Sequence, residues 1–170
     1  MDLKNIIRTI PNYPIDGVLF RDITTVLKDK EALRKSVDEI TKNLEKIEFD
    51  YVLGPESRGF IFAMPIAYNM NKGFIPVRKA GKLPAETISK EYDLEYGSAV
   101  LEIHKDAIKK GDKVIIVDDL LATGGTCKAI IELVESIGAE VVSLNFFIEL
   151  EELNGRELLG DYNISSVVKY

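Results

Sequence analysis

The sequence predicts an α/β fold with a central, mostly parallel sheet flanked by helices. Stretches with strand-like and helix-like apolar spacing alternate along the chain, the pattern that builds parallel sheets. The run Val114-Ile115-Ile116-Val117 is apolar at every position, as expected for a strand covered on both faces. The length, 170 residues, fits one domain with a real core, so residues 1–170 are taken as a single unit.

In chain order, residues 31–47 read as a helix, with Leu33, Val37, Ile40, Leu44 and Ile47 on one face. Residues 49–53 form a short apolar strand. Residues 58–71 are again helical, and Pro65 is expected to kink that helix or mark a shorter first turn. Residues 74–77 are a second strand. Residues 79–97 are polar and show no clear period; a structureless loop of this length tends to be functional, for instance as a mobile lid. Three strands follow, at 99–103, 113–117 and 140–147. The helix between the last two carries Ala129, Ile130, Leu133, Val134 and Ile137 on one face and ends at Gly138.

The longest apolar runs are too short to span a bilayer, so no membrane association is expected. The first residues lack the charged and apolar regions of a signal peptide. Cys127 is the only cysteine, which rules out an internal disulfide. These features point to the cytoplasm. The net charge of −6 argues against nucleic-acid binding, which needs a basic footprint. Residues 51–90 nevertheless carry +4 while the other 130 residues carry −10. Such an island fits either a small anionic ligand held in one place or a solvated basic face.

In open α/β sheets, ligands bind beyond the carboxyl ends of the strands. After Val117 comes Asp118-Asp119-Leu120-Leu121-Ala122-Thr123-Gly124-Gly125-Thr126, then the amphipathic helix. The helix start offers free N–H groups and the positive end of its dipole, the glycines allow close approach, and the threonines add donors. This is a phosphate cradle. It is not a Walker loop, which needs Gly-Lys-Ser/Thr, nor a dinucleotide fingerprint, which needs G-x-G-x-x-G.

Asp118 and Asp119 then pose a problem. Two unit charges about 4–5 Å apart repel by roughly 4 kcal/mol at an effective dielectric near 20. Ribose hydroxyls can donate to both carboxylates, and a sugar that becomes positive during reaction turns repulsion into attraction. Substitution at an anomeric carbon does this through an oxocarbenium-like transition state. The segment therefore reads as a ribose-5-phosphate site, against the plainer reading of an acidic turn before a glycine-rich cap.

Residues 114–126 resemble the phosphoribosyl pyrophosphate (PRPP) motif of type I phosphoribosyltransferases, and the run from Val117 to Thr126 is similar to the adenine-specific branch. Three further segments carry the same resemblance: Phe20-Arg21-Asp22-Ile23, Ser57-Arg58-Gly59-Phe60, and Arg78-Lys79 with Gly81-Lys82-Leu83-Pro84 and Leu94-Glu95-Tyr96-Gly97. The match runs from about residue 10 to 160. It implies the type I phosphoribosyltransferase fold, with a small N-terminal hood formed mainly by residues 1–30 and a mobile loop at about 79–97.

The resemblance also implies roles. Ala122, Thr123, Gly124, Gly125 and Thr126 bind the 5-phosphate, and Asp118 and Asp119 accept from the ribose hydroxyls. Glu56, Ser57 and Arg58 hold pyrophosphate, through main-chain donors and a strained peptide at Glu56–Ser57. Arg78, Lys79 and Lys82 neutralise the diphosphate. Leu19, Phe20 and Arg21 line the base, with Phe20 and Leu120 on its faces. Glu95 contacts the imidazole side of the purine and moves or positions the proton on N7. Mg²⁺ enters with the substrate, as a pyrophosphate leaving group needs a hard cation, and no cage of protein carboxylates is expected. The implied reaction joins adenine to PRPP, giving AMP and pyrophosphate, with another purine base as the alternative acceptor, in a homodimer whose neighbouring subunit completes the diphosphate pocket.

His104 reads as structural, Cys127 as a packing residue, and Glu149, Glu151 and Glu152 as a solvated acidic face. Tyr92 and Tyr96 fall in the lid, where Tyr96 either closes over the site or is a surface aromatic. A regulator that senses PRPP without turnover would need a basic nucleic-acid face or an added winged-helix domain, and the sequence shows neither.

Overall fold

A computed structural model of the protein describes residues 1–94 and 97–170. A seven-stranded sheet runs through the molecule. Its strands are β3 (Tyr51–Pro55), β4 (Gly73–Lys79), β5 (Thr87–Asp93), β6 (Ser98–His104), β7 (Lys113–Leu121), β8 (Glu140–Glu149) and β9 (Ile164–Lys169), in the order β5-β6-β4-β3-β7-β8-β9. β4, β3, β7, β8 and β9 are parallel neighbours, while β6 runs antiparallel to β4 and β5 antiparallel to β6.

β7 is central, and its alternate side chains enter two separate cores. Val114 and Ile116 pack into the cluster that includes Ile130, Leu133 and Val134 of α4 (Gly125–Ser136). Ile115 and Val117 pack into the cluster on the other face, with α2 (Lys30–Leu44) and α3 (Arg58–Asn69). All four are fully buried, which is why no polar residue interrupts the run. The Asp29 side chain caps α2 by accepting from the Glu31 and Ala32 N–H groups. α3 continues through Pro65 to Asn69, although Pro65 removes one helix hydrogen bond.

The structure differs from the sequence reading in the 79–97 segment. Residues 87–93 form β5, which pairs along its whole length with β6, from Thr87 opposite His104 to Asp93 opposite Ser98. No residue of β5 is fully buried, and only Thr87, Ile88, Lys90 and Tyr92 are partly covered, so its apolar signal is weak. The N-terminal region also holds strands: β1 (Arg8–Pro11) and β2 (Leu19–Asp22) form a separate antiparallel pair, followed by the short helix α1 (Thr24–Leu27). The chain after residue 150 adds α5 (Gly155–Leu159) and the edge strand β9.

Candidate active site

The cavity at the carboxyl end of β7 has a volume of about 390 Å³. Asp118, Asp119 and Leu120 line it, as do Ala122, Thr123, Gly124, Gly125 and Thr126 of the following loop. Glu56, Ser57 and Arg58 close one side, and Lys79 and Tyr92 reach it from β4 and β5. Most of the residues expected to hold the sugar and its phosphates therefore converge on one space. Arg78 and Lys82 are not among its walls; both pair with Glu56, which is.

The loop is shaped by Gly124, which has φ +88° and precedes the first turn of α4. That conformation favours glycine and turns the chain so that the helix N-terminus faces the cavity. The Tyr92 hydroxyl lies 3.4 Å from Thr126 Oγ1, linking β5 to the loop.

Asp119 is buried, and its Oδ2 lies 3.0 Å from Arg58 Nε. The Asp119 N–H donates to Asp118 Oδ1 at 2.8 Å. Burial pushes the Asp118 carboxyl well above the usual carboxylate range, and the neighbouring Asp119 charge pushes it further. Burial raises Asp119 too, against the pull of Arg58. The first turn of α3 makes room for this pair: a Cβ on Gly59 would lie 2.9 Å from Asp118 Oδ1 and 2.7 Å from Pro55 Cδ. No role was expected of Gly59, although it stands within the Ser-Arg-Gly-Phe segment.

The Glu56–Ser57 peptide bond is cis. Glu56 directs its carboxylate at the basic segment. Oε1 accepts from the Lys79 N–H at 2.7 Å, Oε2 accepts from Lys82 Nζ at 2.6 Å, and Arg78 Nε stands 3.4 Å from Oε1. Burial works to raise the Glu56 pKa, but the Lys82 hydrogen bond, the Lys79 N–H and the charges of Lys82 and Arg78 outweigh it and hold the carboxyl below its ordinary value. The basic island is thus partly neutralised from within.

Phe20 lies on β2, with the Arg58 guanidinium 5.6 Å from its ring centre and Tyr13 packed edge-on at 5.1 Å. Leu19 is exposed beside it. Arg21 turns the other way: its guanidinium lies over the Tyr170 ring at 3.7 Å, and Nη1 donates to Thr9 Oγ1 at 2.6 Å. Its side chain therefore braces the two-stranded sheet. Glu95 and Tyr96 lie outside the described residues.

Three other expectations meet the structure. His104 Nε2 accepts from the Ala85 N–H at 3.4 Å, a loop contact. Cys127 is buried, and burial together with the Asp118 charge pushes its thiol pKa up, overriding the pull of the helix start. Glu149 is not on a solvated face: it is buried and paired with Arg156, seven residues on.

A family model of the phosphoribosyl transferase domain matches residues 24–168. An adenine phosphoribosyltransferase of Clostridium novyi is 61% identical over 170 residues, covering 100% of this chain and 99% of its own length. One from Lachnoclostridium phytofermentans is 58% identical over 168 residues, covering 99% of this chain and 97% of its own. The chain belongs to the adenine phosphoribosyltransferase family. Solved structures of the family agree in fold. That of Thermoanaerobacter pseudethanolicus superposes with a TM-score of 0.96 at 54% identity, covering 99% of this chain and 98% of that one. The Saccharomyces cerevisiae adenine phosphoribosyltransferase, complexed with an imino-altritol bisphosphate and adenine, gives 0.90 at 40% identity, covering 97% and 96%.

Proposed function

We propose that this chain transfers the 5-phosphoribosyl group of PRPP to adenine, giving AMP and pyrophosphate, as a purine salvage enzyme. The observation that carries the reading is the Asp118–Asp119 pair, with Asp119 buried and Asp118 half-buried, set between a glycine-turned helix N-terminus and the Glu56–Arg58 turn. Ala122, Thr123, Gly124, Gly125 and Thr126 hold the 5-phosphate through main-chain donors and hydroxyls. Asp118 and Asp119 accept from the ribose hydroxyls.

As the C1–O bond to pyrophosphate breaks and the bond from adenine N9 to C1 forms, positive charge grows on the ribose ring. The two carboxylates, costly before reaction, stabilise that charge. Ser57, Arg58 and Lys79 receive the diphosphate, with Arg78 and Lys82 released to it from Glu56. Leu19, Phe20 and Leu120 line the base, Arg21 offers it only main-chain atoms because its side chain turns to Tyr170 and Thr9, and Glu95 serves the imidazole side, where the proton that adenine loses is taken up. Residues 1–30 act as the hood over the base.

A hard cation carried in by the substrate takes oxygen donors, and Asp118 and Asp119 present carboxylate oxygens on the cavity wall. Mg²⁺ held by pyrophosphate and ribose oxygens would offset the charge of the leaving group.

The protein works as a cytoplasmic homodimer in this reading. Support comes from the exposed apolar side chains Met64 and Tyr68 on α3 and from a groove that α3 shares with α2, whose apolar floor of Leu33, Val37, Ile61 and Pro65 is edged by Arg34, Asp38 and Asn69. No helix among the described residues is long and apolar enough to cross a membrane.

The deciding experiment is pyrophosphate release from PRPP and Mg²⁺ with adenine, hypoxanthine, guanine, xanthine and orotate supplied separately. Release is expected with adenine. PRPP binding without release for any base would favour a regulator instead. A second expectation concerns Glu56, whose carboxylate competes with the diphosphate for Lys82 and Arg78. Glu56→Gln should tighten inhibition by pyrophosphate roughly two- to fivefold, the scale of a partly exposed ion pair. Unchanged or weaker product inhibition would show that Glu56 is no competitor.

A further inference from the structure

The back of the 122–126 loop rests on a second glycine. A Cβ on Gly124 would lie 2.9 Å from the Gly155 carbonyl oxygen and 3.3 Å from Leu159 Cγ. Conversely, a Cβ on Gly155 would collide with the Ala122 carbonyl oxygen and approach Leu121 Cδ1 to 2.8 Å. The backbone of α5 therefore touches the backbone of the loop with no side chain between them.

The place of α5 is fixed in turn. Arg156 forks onto the buried Glu149, with Nε to Oε1 at 2.6 Å and Nη2 to Oε2 at 2.8 Å. Its Nη1 donates to the Ile164 carbonyl at 3.2 Å, and Ser166 Oγ donates to Glu149 Oε2 at 2.5 Å. Glu149 pairs in register with Leu121, the residue from which the loop departs, and the Leu150 N–H donates to the Leu121 carbonyl at 2.9 Å. A closed circuit thus runs from the end of β7 through β8 and Arg156 to Gly155 and back to the loop.

We propose that Gly155, held by the Arg156–Glu149 pair, is a positioning residue that sets the depth of the 122–126 loop and so the affinity for the 5-phosphate of the substrate. The proposal rests on the reading of that loop as the 5-phosphate site. Gly155 acts through Ala122 and Gly124. A cradle of N–H donors works over a few tenths of an ångström around 2.9 Å, so displacing its backing displaces the donors. An added methyl at Gly155 meets backbone on one side and a packed leucine on the other, and the loop is the wall that borders open space.

The test measures binding of ribose 5-phosphate and of pyrophosphate separately, by titration calorimetry, to the unaltered protein and to Gly155→Ala, Arg156→Lys and Thr126→Ala. Gly155→Ala should weaken ribose 5-phosphate roughly ten- to a hundredfold, the scale of a displacement near 1 Å. Pyrophosphate binding and KM for adenine should hold, KM for PRPP should rise, and thermal unfolding should stay cooperative. Arg156→Lys keeps the charge but loses the fork; it should give a smaller loss of the same kind, and it carries the test if Gly155→Ala fails to fold. If neither variant weakens ribose 5-phosphate while Thr126→Ala does, the proposal falls and the reading of the loop stands. If none of the three does, both fall. Equal losses for ribose 5-phosphate and pyrophosphate would indicate a generally loosened site and would also overturn it.

Discussion

Asp118→Asn is expected to cost about a hundredfold or more in turnover while making the protein more stable at neutral pH. The functional loss follows from removing a charge whose largest effect comes when the ribose ring turns positive. The stability gain follows from the state before substrate binds. Burial and the Asp119 charge hold the Asp118 carboxyl above its ordinary pKa, which is near 3.9 in an unfolded chain. Between those two values the folded chain holds a proton that the unfolded chain has lost, so stability falls as pH rises through that window. Asparagine keeps an oxygen able to accept the Asp119 N–H and carries no charge. Relief of about 1–2 kcal/mol should raise the melting temperature by roughly 2–8 °C for a chain of this size. Melting curves across pH check the sign: the gap between variant and parent should be present at neutral pH and should close below about pH 4. A variant that melts lower at neutral pH would mean that Asp118 holds the fold together rather than serving the reaction.

Gly59→Ala is expected to lose activity on a similar scale, about ten- to a hundredfold, but with a loss of stability. Helix propensity alone favours alanine by about 1 kcal/mol at this helical position. The contacts oppose it. A Cβ there would press on Pro55 Cδ at 2.7 Å and Asp118 Oδ1 at 2.9 Å, and overpacking of this kind costs about 1–3 kcal/mol. Pro55 is part of a central strand, so relief comes from moving the start of α3, which carries Arg58, or from turning Asp118. Either outcome spoils the site. Kinetics of Gly59→Ala, Asp118→Asn and the double variant separate the causes. If the glycine acts through the carboxylate, the two losses will not add. Full additivity would place the damage at Arg58 instead, and near-normal turnover would refute the expectation altogether.

The site was most legible where one segment carried several constraints together. The strand at 114–117 had to be apolar throughout because it is buried on both faces. The two carboxylates, two glycines and two threonines that follow then point at one ligand chemistry. The helix expected at 31–47 was equally plain over Lys30–Leu44, where Leu33, Val37, Ile40 and Leu44 keep one period, but Ile47 continues that spacing past the helix end. β5 was not legible, because its residues are half covered and its identity depends on pairing with β6, eleven to seventeen residues away for the outer pairs, such as Thr87 with His104. Glu149 was misread for a related reason: a carboxylate beside Glu151 and Glu152 looks solvated until Arg156 is seen to fold back on it. Gly155 carries no pattern at all, and the segment around Gly59 does not say why a glycine stands there. Their importance lies in which backbone or carboxylate stands within 3 Å, and only the tertiary structure supplies that.

Cys127 gives the molecule a built-in gauge of its own opening. The thiol lies in the first turn of the helix that begins at the phosphate loop, yet it is buried and held protonated by its surroundings. A protonated thiol with only 4% of its surface exposed is a poor nucleophile, yet it borders the active-site cavity. The rate of its modification by an alkylating reagent therefore reports both on local opening around α4 and on whether the cavity is filled. Ligands that bind the loop should lower that rate, by shielding the thiol and by stabilising the native state they bind.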